Sequence, residues 1–168
     1  MSTIEALLAE FDQEMQGTRA ELERVPEQDA AWKPHPKSFS LGDLAMHVAN
    51  LPFWTAMTLV ATEFDLHPPG GAEWKTPPFT TTAALLAFFD GNVARARAAF
   101  LAAKDADLAV PWSLKDAGQV HFTQPRGQVL RSFCFSHLVH HRAQLGVYLR
   151  LRDVPLPFMY GPTADTGM

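Results

Sequence analysis

Three histidines offer this chain its most distinctive chemistry. His137 and His141 are four residues apart in Cys134–Arg150, a stretch that reads as a helix, so their side chains stack on one face. That face also carries Leu130, Phe133 or Cys134, Leu145, and Tyr148 or Leu149. The two imidazoles are therefore expected in the middle of an apolar stripe. An unpaired polar group in a core costs about 1–3 kcal/mol, so buried imidazoles require partners. A transition metal satisfies two ring nitrogens at once but calls for a third ligand. His47 is the candidate. It shares a face with Leu44, Val48 and Leu51 on an earlier helix and is also expected to point into the core. One histidine from one helix and an i, i+4 pair from another can converge inside a bundle. Three neutral imidazoles suit zinc, nickel, copper or iron. Three protein ligands leave coordination room for water, as in catalytic rather than structural zinc sites.

Plainer roles compete with this one. A single histidine on an apolar face is more often a hydrogen-bonded core residue, and a metal-free bundle with internally bonded histidines stays open. His140 lies three residues after His137 but toward the edge of the stripe, where a hydrogen-bonding or near-site role suits it. Cys134 is a candidate fourth ligand that would close the site; a small buried core thiol is its simpler role. Asp43 stands one turn before His47 and either orients that imidazole or serves the start of its helix. Asn50 and Gln144 fall near the ligands by helical spacing, with no role assigned. Arg142 is expected in a salt bridge at the bundle edge. No catalytic residue is identified. Paired Glu-x-x-His motifs are absent, which disfavours a di-iron carboxylate site. No Gly-rich phosphate loop, paired CxxC site or Ser/His/Asp motif occurs.

The elements that must position these residues are punctuated by proline. Ile4, Leu7, Leu8, Phe11, Met15 and Leu22 give helical spacing from about Ser2 to Arg24. Glu5, Glu10, Asp12, Glu14 and Glu21 are expected on its solvated face. A Pro-rich linker, Val25 to Phe39, precedes a second helix capped by Ser40 and continuing to about Thr62, with Pro52 predicting a kink close to His47. A second loop, Asp65 to Pro78, leads to threonine caps and a third helix ending near Ala103. Between Asp105 and Pro125, Val110, Trp112 and Leu114 alternate with polar residues and proline, as do Val120 and Phe122 with polar residues. The intervening Lys115-Asp116-Ala117-Gly118 suggests a small β-hairpin. A fourth helix is expected from Arg126 to Arg152, before an irregular tail. The expected fold is an all-α four-helix bundle with long, crossover-type connections and that hairpin before the last helix.

Bulk properties narrow the partners. The 168 residues are 47% hydrophobic, enough for one domain, 1–168, with a sizeable core. A formal charge of -4 with no strongly basic run disfavours nucleic acid. No apolar run of about 18 residues marks a membrane span, and no secretory signal is visible. One cysteine cannot form an internal disulfide, which fits a cytoplasmic setting.

Three segments carry a family resemblance: Trp32-Lys33-Pro34-His35-Pro36 before Ser40-Leu41-Gly42-Asp43-Leu44-Ala45-Met46-His47; His137-Leu138-Val139-His140-His141-Arg142-Ala143-Gln144-Leu145; and the tail Val154 to Pro162. Together they resemble the DinB/YfiT-like family of metal-dependent proteins. The resemblance implies a four-helix bundle with a divalent metal, often zinc or nickel, on His47, His137 and His141, and an open, water-bearing position. It implies a small-molecule substrate, with low-molecular-weight thiols used by some relatives, and a homodimer. Ala143 departs from the glycine frequent after the family's His-Arg pair; alanine is the better helix former. Two functions are expected to compete: a metal-dependent hydrolase or thiol S-transferase, and a non-catalytic bundle or binding module that the metal merely stabilises.

Overall fold

The computed structural model describes residues 1–166. Its first three helices begin where short polar side chains can hold otherwise free N–H groups. Ser2 accepts from the Glu5 N–H while Glu5 reaches back to the Ser2 N–H, starting α1 (Thr3–Leu22) with a capping box. Ser40 accepts from Asp43 N–H at the start of α2 (Leu41–Val60), and Thr81 from Ala84 N–H at the start of α3 (Thr82–Ala102). The Pro-rich linker is tied to the first turn of α2, where Gly42 N–H donates to Ala30 O and Leu41 N–H to Trp32 O. Helix α2 continues through Pro52 and is buried on nearly every side. From Leu41 to Leu59 only Asp43, His47 and Met57 escape full burial.

The expected hairpin is present. Strand β2 (Pro111–Asp116) pairs antiparallel with β3 (Gln119–Pro125), and Ala117 and Gly118 turn the chain with φ of 50° and 81°. Two consecutive residues in this region give the tight turn whose twist matches the strands. A third strand, β1 (Glu63–Asp65), adds to the sheet in parallel with β2. Three residues are too few for an alternation to announce a strand. The fold is thus mostly helical with a small three-stranded sheet, and all-α describes it only approximately.

The last helical rod has three parts: α4 (Arg126–Val129), a π-helical stretch Leu130–Ser136, and α5 (His137–Leu151). A continuous 3.6-residue period over this segment carries the wrong phase past the π stretch, whose bonds run i to i+5. The buried stripe of α5 is Leu138, Arg142, Leu145 and Leu149. His137 and His141 each precede a stripe residue by one position. They flank the core, half-buried, rather than lying in its middle as expected. Helix α3 packs on α1 and α2, and α5 mainly on α2, while α1 meets α2 and α5 only slightly. Phe11, Leu22, Leu41, Phe89, Phe100 and Leu145 are fully buried between them.

A second correction concerns α1. Glu14 and Glu21 do not lie on a solvated face. With Thr18 they form a face covered by α5 and the returning tail. Arg142 is not at the bundle edge: it is 3% exposed, and its guanidinium donates to Glu14 Oε2 at 2.6 Å, Glu14 O at 3.0 Å and Thr18 Oγ1 at 3.0 Å. Tyr160 closes the group, donating to Glu14 Oε2 at 2.7 Å and contacting the same guanidinium. The tail is also held by Arg24, which donates to Pro155 O, and by Asp165, which pairs with Arg150 and accepts from Leu156 N–H.

Breaking a buried ion pair from one side strands the other charge. Arg142→Ala is expected to lower unfolding stability by about 3 kcal/mol in urea titration, well beyond the effect of a surface arginine. Glu21 gives a second outcome. Burial pushes its carboxyl up to about 7, against the pull of Arg142 and Arg24. Between the ordinary 4.5 and about 7 the folded chain holds a proton that the unfolded chain has released. Stability therefore falls as pH rises through this window and stays lowered above it. Glu21→Gln is expected to shrink the loss of melting temperature between about pH 5 and about pH 8. An unchanged profile would remove Glu21 as its source.

Candidate metal centre

Helix α5 begins at the residue the site requires. His137 is its first residue, His141 follows one turn later, and His47 faces them from α2. The His47 and His137 Nε2 atoms are 3.3 Å apart. Ring centroids lie 5.1 Å apart for His47–His137, 4.4 Å for His47–His141 and 4.7 Å for His137–His141. One ring nitrogen from each lies within 4.8 Å of the others, a group that can hold a metal ion. The three side chains named from the sequence are thus brought together.

The surroundings orient the rings. The Phe133 carbonyl is only an acceptor, so the His137 Nδ1 at 3.2 Å from it carries the hydrogen and Nε2 keeps its lone pair. His141 Nδ1 lies 2.8 Å from Gln144 Oε1 and is fixed the same way. Burial, then repulsion from His141 and His137, lowers His47 to about 4. Burial is also the main cause lowering His137 and His141; the Phe133 carbonyl and Gln144 work in the opposite direction. The trio is held neutral near pH 7, the form in which imidazole binds a metal. Three neutral nitrogens at a partly open point fit a divalent transition ion by donor chemistry.

Phe39 stands over the trio. Its ring stacks on His47 at 5.7 Å with an interplanar angle of 21°, and meets His141 edge-on at 6.4 Å. On the other side a groove of about 480 Å³ is lined by Ser132, Phe133, Ser136, His137 and His140. His140 is exposed, its ring 4.8 Å from that of His141.

The competing residues find other places. Cys134 is buried, 3.8 Å from Thr58 Oγ1, with its thiol pushed up to about 12 by burial. It is a core thiol and not one of the grouped ligands. Asp43 is exposed at the start of α2, and no hydrogen bond joins its carboxylate to His47 among the described residues. Gln144 gains the role that spacing alone left unassigned. Phe39 and the Phe133 carbonyl were missed: one sits in a linker, and the other is a backbone atom displaced by a π turn that side-chain patterns do not reveal.

Comparison with known proteins bears on the fold and the family. No curated protein matches the chain. Solved structures share the fold, two of them over almost the whole chain. A DinB-like protein from Bacillus cereus ATCC 10987 has a TM-score of 0.72 at 19% identity, covering 93% of this chain and 97% of that one. A DinB-like protein from Bacillus subtilis has a TM-score of 0.70 at 16% identity, covering 94% and 99%. The sequence pattern of the DinB superfamily matches residues 10–145, most of the chain including all three histidines, and the chain belongs to that superfamily.

Proposed function

We propose that this chain is a metal-dependent enzyme in which His47, His137 and His141 hold one divalent transition ion, zinc or nickel, for hydrolysis or thiol transfer on a small-molecule substrate. One observation carries the proposal: three imidazole nitrogens gather at a half-exposed point with a groove beside it. When bound there, such an ion supplies acidification of a coordinated water or low-molecular-weight thiol.

The chain's own residues supply the rest. His47, His137 and His141 offer neutral nitrogens because burial disfavours their charged forms. Phe133 O and Gln144 hold two of the rings by their outer nitrogens, which keeps the inner nitrogens aimed at one another. Phe39 covers one side of the trio and limits water there. Substrate then approaches along the groove, where Ser136 and His140 provide polar contacts. His140 is the exposed titratable group placed to exchange a proton with a molecule in that groove.

Protein purified without a polyhistidine tag is expected to hold close to one ion per chain by elemental analysis. His47→Ala and His141→Ala should each abolish stoichiometric binding. Full occupancy in either variant removes that residue from the ligand set. Adding a small thiol to the cobalt-substituted protein should change its visible spectrum. If chelation lowers the melting temperature but no thiol or water reaches the ion, the metal is a clamp between α2 and α5 and not a catalytic centre.

Acid gives an independent check on the same residues. The folded-state value of His47 is lowered to about 4 from 6.5, so the unfolded chain binds the extra proton first. Metal-free protein should lose stability as pH falls through this window, and recover it above 6.5. His47→Ala should weaken that dependence in urea titrations at a series of pH values. An identical pH profile in the variant would show that the acid sensitivity arises elsewhere.

A further inference from the structure

A second opening in the fold lies away from the histidines. A cavity of about 460 Å³ lies between α1, α5 and the returning tail. Val139, Arg142, Gly146, Val147 and Arg150 bring α5 to it. At 100° per residue these positions centre on the side of α5 opposite His137 and His141. The remaining wall is mainly apolar, with Leu156, Pro157 and Met159 from the tail.

One polar group in this wall is left without a bond. Glu21 is 4% exposed, and its Oε1 has no hydrogen-bond partner among the described residues. Gly146 is what admits it: a Cβ at that position would stand 2.9 Å from Glu21 Oε1. The neighbouring charges are already engaged. Arg142 is taken by Glu14, Thr18 and Tyr160, and Arg150 by Asp165. Arg24, which also acts on Glu21 through its charge, spends its guanidinium on Pro155 O. A buried acceptor without a donor is costly, and a molecule that supplied the donor would recover that cost.

We propose that this cavity binds a small, largely apolar molecule that presents one N–H or O–H donor to the Glu21 carboxylate. The volume falls in the range of small-molecule sites, which are mostly apolar with a few placed polar groups. A short alkyl chain or a single ring fills such a space. A ligand with several polar groups would leave most of them unpaired against Leu156 and Met159, and an anionic head would face the Glu21 carboxylate. The ligand is an amine or an alcohol by chemical class, and the site is independent of any metal on the opposite face of α5.

The test is isothermal titration of the full chain, as purified with its metal, against n-hexylamine, n-hexanol and hexanoate. At about pH 8 the amine and the alcohol should bind about tenfold or more tightly than hexanoate, the effect of one hydrogen bond to a charged group. The ratio between amine and alcohol then tells which donor the site prefers. Glu21→Leu should bind all three with similar affinity, and Val147→Trp should abolish binding of each. Val147 is 59% exposed at the rim, so this second variant keeps the test decisive if Glu21→Leu does not fold. The proposal is overturned if no probe binds the wild type, if the three bind alike, or if folded Glu21→Leu keeps the preference. It is overturned equally if folded Val147→Trp binds normally. Sedimentation showing that this face is covered by a second copy, with no probe bound, would assign it to subunit contact instead.

Discussion

Lone pairs turned toward a common point repel one another, and a protein keeps them there only if surrounding packing holds the rings in place. In this chain the holding structure is the contact between α2 and α5. His47 is one of only three residues from Leu41 to Leu59 that are not fully buried, so its backbone is fixed by apolar neighbours on almost every side. His137 and His141 are fixed from outside by an acceptor on each Nδ1. Desolvation and mutual repulsion then act together to keep the rings uncharged. Neutral ring nitrogens gathered in this way are in the form that binds a cation, as a site coupled to metal binding requires.

The same helix serves two chemistries because its residues divide by face. One face presents the imidazoles toward α2; the other sends Arg142 into the gap between α5, α1 and the tail. There the arginine satisfies Glu14, Thr18 and Tyr160 together. A buried charge needs such a partner set, since desolvation of a lone ion outweighs any single bond. Tyr160 and Asp165 thereby fasten a proline-rich tail that has no secondary structure of its own to hold it. Placing Arg142 next to His141 couples the two faces through the position of α5 alone, without any direct bond between them.

Much of this is legible in the sequence, for reasons that differ residue by residue. The three histidines were legible because an i, i+4 pair and a lone partner on another amphipathic helix are local patterns, and four helices follow from apolar spacing between prolines. The hairpin was legible from alternation around Asp116-Ala117-Gly118. Strand β1 was not, because three residues carry no period and its partner is fifty residues away. The burial of Glu14 and Glu21 was hidden for a related reason. Acidic residues on a helix read as solvated unless something is known to cover them, and what covers them is a tail whose path depends on tertiary bonds.

The phase of α5 is the most instructive difference. A stripe counted at 3.6 residues from Leu130 reaches His137 and His141 near its centre, whereas the buried stripe is Leu138, Arg142, Leu145 and Leu149. The π-helical stretch Leu130–Ser136 accounts for the offset, since bonds to i+5 reset the angular count for everything after it. That reset has a chemical consequence. Rings at the centre of the stripe would be sealed in the core, where an ion has no vacant side and no substrate can arrive. Rings one position off it stand at the core's edge, backed by apolar packing on one side and open to the Ser136–His140 groove on the other. At the end of α5 where the histidines lie, the π turn moves the pair out of the core, and the Phe133 carbonyl within it accepts from His137. A departure from regular helix therefore accounts for the accessibility of the candidate site.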